Sequence, residues 1–213
     1  MKGIKVFLTE NKRGISLLLN LLVVALILIF LMPDIISDGI SSFSHHHTWS
    51  CLMGLVSSVI YLIWGTANRN AAESPKWLRI IRYLAASALA MTFITSVTFI
   101  SGAAGYVETM IMDKGIIFRT LIPLLTVVSF AFFEPYAEIG TSFAFLNIIP
   151  TGIYFGIMAY LNMAGSIDGP YYFLEYDNLP GIGRFSWALL MIGGAYEVGR
   201  FIIFLGKAGN GKA

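Results

Sequence analysis

Charge is scarce in this sequence: 12% of its 213 residues are Asp, Glu, Lys or Arg, where a soluble domain carries about a quarter. That shortfall argues against an ordinary water-soluble domain. Cysteine is nearly missing as well. Cys51 stands alone, which excludes an intramolecular disulfide and any cysteine-based metal cluster and leaves the redox compartment undetermined. No zinc-type ligand spacing occurs, so neither a metal nor another cofactor is expected. The balance of 14 Lys/Arg against 12 Asp/Glu leaves +2, too little to attract nucleic acid.

What is abundant is apolar surface, with 57% hydrophobic residues and 14% aromatic ones. Six stretches of about 20 residues, the length that crosses a bilayer core, account for roughly 120 residues and leave short loops with no room for a separate extramembrane domain. The apolar runs place these spans at about 14–32, 49–65, 83–101, 116–133, 142–161 and 185–205. The expected fold is all-α, a polytopic membrane helix bundle with six transmembrane helices. The first run is too long for a signal peptide, and the following MPDIISDG lacks a small-residue cleavage pattern, so it reads as an anchored helix.

Charge placement sets the orientation. Lys2, Lys5, Lys12 and Arg13 precede the first span, Arg69, Lys76, Arg79 and Arg82 sit between the second and third, and Lys207 and Lys212 follow the sixth. The positive-inside tendency puts these regions, and so both termini, in the cytoplasm. The opposite loops hold Asp34, Asp38, Glu108, Asp113, Asp168, Glu175 and Asp177 against only Lys114 and Arg184. The segment from Glu134 to Glu138 carries no positive residue, so it supports neither side. The expected location is a membrane, the plasma membrane of a bacterium. Trp49, Trp64, Trp77 and Trp187 near span ends fit interfacial anchoring. Gly193, Gly194 and Gly199 permit close helix contact, and the oligomeric state stays open.

Chemistry concentrates in SFSHHHTWSC at 42–51, at the external entrance to the second span. Three consecutive histidines cannot all face one side of a helix. A site role falls on His46 or His47, against the plain alternative of an exposed polar loop. Arg119, four residues before Pro123 in the fourth span, either snorkels or presents its donor fork to a carboxylate or ester oxygen. Glu197 and Arg200 form an i,i+3 pair in the sixth span, read as a structural charge pair. The aromatics of DGPYYFLEYD at 168–177, Tyr171 and Tyr172 among them, lie against the bilayer or cap a pocket mouth as substrate contacts.

Three segments, TWSCLMG at 48–54, RTLIPLLTVVSFAFFE at 119–134 and PYYFL at 170–174, occur in an order and spacing that resembles the androgen-induced-gene family of small multispanning proteins and its bacterial relatives. The resemblance covers about 130 residues. It implies a membrane hydrolase of fatty acid esters of hydroxy fatty acids, with a threonine nucleophile on an early helix and a histidine on a later one. The bacterial pattern is PheThr-x-x-SerAsn followed much later by His-x-x-x-Pro. Aligning Ser50 and Cys51 with the first part puts His47 at the threonine position with Thr48 beside it, and aligning Pro123 puts Arg119 at the histidine position. The chain departs from the pattern at both.

Three functions are open on these grounds. The preferred one is a multispanning membrane protein that binds an amphipathic lipid or stabilises a membrane complex, since it needs no intact catalytic pair. The second is a lipid-ester hydrolase with an external-facing intramembrane pocket. There Thr48 or Ser50 attacks, His46 or His47 moves the proton, and Arg119 holds the negative group. The third, a small-molecule transporter, is weakened by few spans and no repeat. Membrane lipids and an amphipathic ligand are the expected partners.

Overall fold

The computed structural model describes residues 11–68, 70–71, 73–112, 114–135, 137–166 and 181–211, with backbone only at 103–104, 181–182 and 184–185. Six helices are long and apolar enough to cross a membrane. They are α1 (Lys12–Ser44), α2 (His46–Ala67), α3 (Lys76–Ile100), α4 (Ile116–Phe133), α5 (Thr141–Met163) and α6 (Gly181–Ala208). The protein is therefore an all-helical, polytopic membrane protein.

Helix α3 is central and packs on α2, α4 and α6. Its sequence explains the position. From Ala85 to Thr92 every side chain is buried, and most are Ala or Ser. A helix that is buried all round must be apolar or small on every face, and small side chains let neighbouring backbones come close. Two apolar cores form on either side of it. One joins α1, α2, α3 and α4 through Val23, Ile27, Cys51, Leu89 and Ile122. The other joins α3, α5 and α6 through Ala86, Met91, Ala144, Met191 and Ile202. At Gly199 of α6 a Cβ would sit 2.4 Å from the Tyr83 hydroxyl, so only glycine allows this approach to α3.

Two of the helix interruptions coincide with proline. Pro33 and Pro123 each follow a π-helical turn, Ile27–Leu31 and Ile116–Leu121. Proline lacks an N–H and crowds the carbonyl four residues back. Those carbonyls belong to Ile29 and Arg119, inside the widened turns.

Several helices differ in length from the sequence expectation, most of all α1, which continues to Ser44, and α3, which begins at Lys76. The second difference changes the meaning of two charges. Arg79 and Arg82, expected as loop anchors, lie within α3 at 1% and 0% exposure. Arg82 Nη2 donates to Glu134 Oε1 at 2.6 Å, its Nε bridges both carboxylate oxygens at 3.0 and 3.2 Å, and its Nη1 donates to Ser57 Oγ at 2.9 Å and Ser58 Oγ at 3.0 Å. Asn20 of α1 donates to Ser129 Oγ at 2.9 Å and to Glu134 Oε1 at 3.4 Å. The network thus ties α1, α2, α3 and α4 together. Arg79 caps the end of α4, donating to the Phe130 carbonyl at 2.8 Å with its guanidinium 3.7 Å from the Phe130 ring centroid.

Both described ends of the chain meet at this end of the bundle. Arg13 donates to the carbonyls of Gly65, Asn68 and Ala71, and Asn210 to that of Ala131. At the opposite end, Lys114 pairs with Asp34.

Glu134 lies just beyond α4. Burial would raise its carboxyl pKa, but the Arg82 guanidinium, helped by Arg79 and Ser129, holds it below the ordinary carboxylate value. A depressed folded value stabilises the fold above the unfolded pKa of about 4.3 and is lost as pH falls through the folded value. Thermal unfolding of the detergent-solubilised protein is therefore expected to show an acid limb below the ordinary carboxylate pKa. Glu134→Gln is expected to flatten that limb while lowering the melting temperature at pH 7.

Candidate functional site

The histidine tract sits at a corner, which divides its members. A 3-10 turn, Gly39–Ser44, closes α1, and His45 is extended at φ −92°, ψ 132°. His46 and His47 then open the first turn of α2. Successive residues on a helix point about 100° apart, so the two rings separate. His46 lies edge-on to Tyr154 of α5 with centroids 4.9 Å apart. His47 stacks on Phe118 of α4 at 5.4 Å. Tyr154 also donates to the Ser44 carbonyl at 2.6 Å, which fixes the corner against α5.

His46 and His47 nonetheless line one small cavity, together with Thr92, Thr95, Ser96 and Ile100 of α3 and Arg119 of α4. Its volume is about 10 Å³, close to what one water molecule occupies. His46 Nδ1 lies 2.9 Å from Thr92 Oγ1, and Thr92 Oγ1 lies 2.8 Å from Ser50 Oγ. This gives a continuous His46–Thr92–Ser50 chain of hydrogen-bonding groups. Arg119 is half-buried, and its Nη1 donates to the Thr109 carbonyl at 3.0 Å. His47 Nδ1 is buried with no hydrogen-bond partner among the described residues. Burying such a group unsatisfied costs about 1–3 kcal/mol.

Outside the spans, His45 borders the cavity residues, its ring centroid 5.3 Å from that of His47. Burial, and then the nearby Arg119 guanidinium, holds the His45 imidazole below its ordinary pKa. Two π-helical turns flank the cavity, Ser96–Ile100 in α3 and Ile116–Leu121 in α4. Such turns rotate side chains out of the regular helical stagger and are frequent at functional sites.

Of the residues singled out in the sequence, His46, His47 and Arg119 come together here, and Ser50 lies one hydrogen bond away through Thr92. Thr48 does not join them. The residue is 1% exposed, and its hydroxyl donates to the Ser42 carbonyl at 2.7 Å and secures the corner. Glu197 and Arg200 are joined at 3.2 Å but lie on the exposed face of α6. Tyr171 and Tyr172 lie outside the described residues. Among the described residues no three His, Cys, Asp or Glu side chains gather as a metal ion requires.

Thr92 escaped the sequence reading. It sits in an apolar run, ALAMTFITS, where a hydroxyl ordinarily bonds its own helix, as Thr92 does to the Ala88 carbonyl at 3.2 Å. The usable signal was the spacing of Thr92, Thr95 and Ser96, which at i, i+3 and i+4 share one helix face.

Comparison of the chain with protein-family models, with curated proteins and with solved structures finds no match.

The geometry separates a structural hydroxyl from a cavity hydroxyl. Thr48→Val is expected to lower unfolding stability by about 1 kcal/mol or somewhat more, measured by denaturant unfolding in detergent. It is expected to leave any ligand affinity of the cavity unchanged, whereas Thr92→Val is expected to change that affinity.

Proposed function

We propose that this membrane protein, with both termini in the cytoplasm, binds the carboxylate or ester end of an amphipathic lipid at the external end of its helix bundle. The observation that carries the reading is the convergence of His46, His47, Thr92 and Arg119 on one cavity. A charged guanidinium within a span is expensive unless it meets a polar partner. A planar fork of N–H donors suits two oxygens on one carbon. His47 Nδ1, without a partner among the described residues, supplies a further polar contact, and the hydroxyls of Thr92, Thr95 and Ser96 supply the rest. The cavity has room for about one water, so the lipid's polar end meets it at the half-buried Arg119 side chain. The lipid tail then lies in the bilayer. The basic end around Lys12, Arg13 and Lys207 faces the cytoplasm under the positive-inside tendency.

A second reading, lipid-ester hydrolysis, is favoured by one specific contact. Thr92 Oγ1 lies 2.9 Å from His46 Nδ1, the spacing of a hydroxyl nucleophile and its base. In that reaction the Thr92 oxygen bonds to the ester carbonyl carbon while its proton passes to His46. Arg119 stabilises the oxyanion, and the leaving alkoxide takes the proton from His46. Water then releases the acyl group from Thr92. The resemblance to the androgen-induced-gene family supports this chemistry in kind. The residues that carry it here, Thr92 and His46, are not those the family pattern would select.

One set of proteins tests both readings. Purified protein in nanodiscs is titrated with a fatty acid and with a panel of lipid esters, and binding and hydrolysis are followed separately. Arg119→Met is expected to weaken fatty-acid binding by roughly tenfold to a hundredfold, the equivalent of one charge-assisted hydrogen bond. If hydrolysis occurs, Thr92→Val and His46→Ala are each expected to lower its rate by about a hundredfold or more. Binding without hydrolysis leaves the binding reading alone. Absence of binding by the wild-type protein, or Arg119→Met binding as well as wild type, overturns the assignment.

A further inference from the structure

The sixth helix carries an ion pair where a lipid-facing helix should carry none. Glu197 lies eleven residues before Ala208, the end of α6, about 16 Å along the axis at 1.5 Å per residue, and so well inside the span. Its side chain is 64% exposed, and that of Arg200, one turn further along, is 53% exposed. The two are joined by bonds of 3.2 and 3.3 Å from Arg200 Nη1 to the carboxylate oxygens, and Arg200 also lies 5.8 Å from the Tyr196 ring centroid. Helical side chains lean toward their own N-terminus, which for α6 is away from the basic end. Arg200 therefore reaches toward the bilayer centre to meet Glu197 instead of snorkelling to the nearer interface.

Charges within spans almost always face protein or a polar cavity, because hydrocarbon offers no hydrogen bonds to the lone pairs and N–H groups that a single pair leaves over. The same face is open for close approach. A Cβ at Gly193, one turn before Glu197, would meet nothing within 4 Å. Beside the pair, Arg200, Phe201, Phe204, Lys207 and Thr141 line an open groove of about 400 Å³.

We propose that this face of α6 is the contact between two copies of the chain, related by a two-fold axis along the membrane normal. The pair is self-complementary. In such an arrangement the two α6 helices run parallel, equivalent residues face each other, and Glu197 of each copy meets Arg200 of the other. Four charges then satisfy one another out of lipid, and Gly193 lets the backbones approach. This contact is independent of the histidine-end cavity, which belongs to α2, α3 and α4.

Charge reversal tests the contact. Wild type and the variants Glu197→Arg and Arg200→Glu are each given two distinguishable tags, reconstituted in liposomes, and scored by co-purification and by single-molecule counting. Wild type is expected to be dimeric. Each single variant, presenting like charges, is expected to self-associate at least about tenfold more weakly. Reconstituting Glu197→Arg together with Arg200→Glu is expected to restore a mixed dimer, since one copy then offers two arginines and the other two glutamates. A misfolded chain would not be rescued in this way. A monomeric wild type, single variants that dimerise like wild type, or a mixture that forms no mixed dimer would each overturn the proposal. Retention of anionic phospholipid on a monomer would assign the face to a lipid headgroup instead.

Discussion

The ion pair between Arg82 and Glu134 is the contact on which the rest of the structure depends. Both groups are shut away from water and lipid, at 0% and 3% exposure. Either one left without the other would be an uncompensated charge in a low-dielectric interior. Satisfying them takes donors and acceptors from Ser57 and Ser58 of α2, Ser129 of α4 and Asn20 of α1. The relative heights of four helices are thereby fixed at one end of the bundle. The apolar cores above it could slide with small change in buried area, because Leu, Ile and Ala contacts are not directional. The pair removes that freedom.

With that end secured, the other end can hold polar groups in a looser arrangement. Near the basic end, charge meets charge: Glu134 Oε1 accepts from Arg82, Ser129 and Asn20, and Oε2 accepts from Arg82 Nε. Near the histidine end, imidazoles and hydroxyls surround a small cavity, and two π-helical turns set the side-chain directions. The first is a dense network around one ion pair, whereas the second leaves His47 Nδ1 without a partner among the described residues. Helix α3 connects them, carrying Arg79 and Arg82 near its start and Thr92, Thr95 and Ser96 near its end. Its close packing through small residues makes it a rigid spacer between the two.

The six spans were legible in the sequence because hydrocarbon demands long apolar runs, and such runs need no partner to be recognised. Charge was harder to read. Arg79 and Arg82 follow Lys76 in a basic cluster, and the positive-inside tendency treats such a cluster as a loop, whereas their partners, Glu134 and the Phe130 carbonyl, lie about fifty residues away. Nothing local distinguishes a snorkelling arginine from a paired one. At the histidine end, His46, His47 and Arg119 were each singled out in the sequence, and their meeting at one cavity follows from the packing of α2, α3 and α4. The choice between Thr48 and Thr92 was not, since it depends on the 3-10 corner at Gly39–Ser44 that turns Thr48 back toward Ser42. The Glu197–Arg200 spacing was plain in the sequence, but which face of α6 it occupies is settled only by packing on α3 and α5.

A double-mutant cycle on the anchor measures the central claim most directly. Unfolding free energies in detergent would be compared for wild type, Arg82→Met, Glu134→Leu and the variant carrying both. Single substitution is predicted to cost about 3–5 kcal/mol, since it strands a buried charge, and the double variant to cost far less than the sum of the two. Costs that add to within about 0.5 kcal/mol would contradict the account, because they would mean that the two charges do not depend on each other.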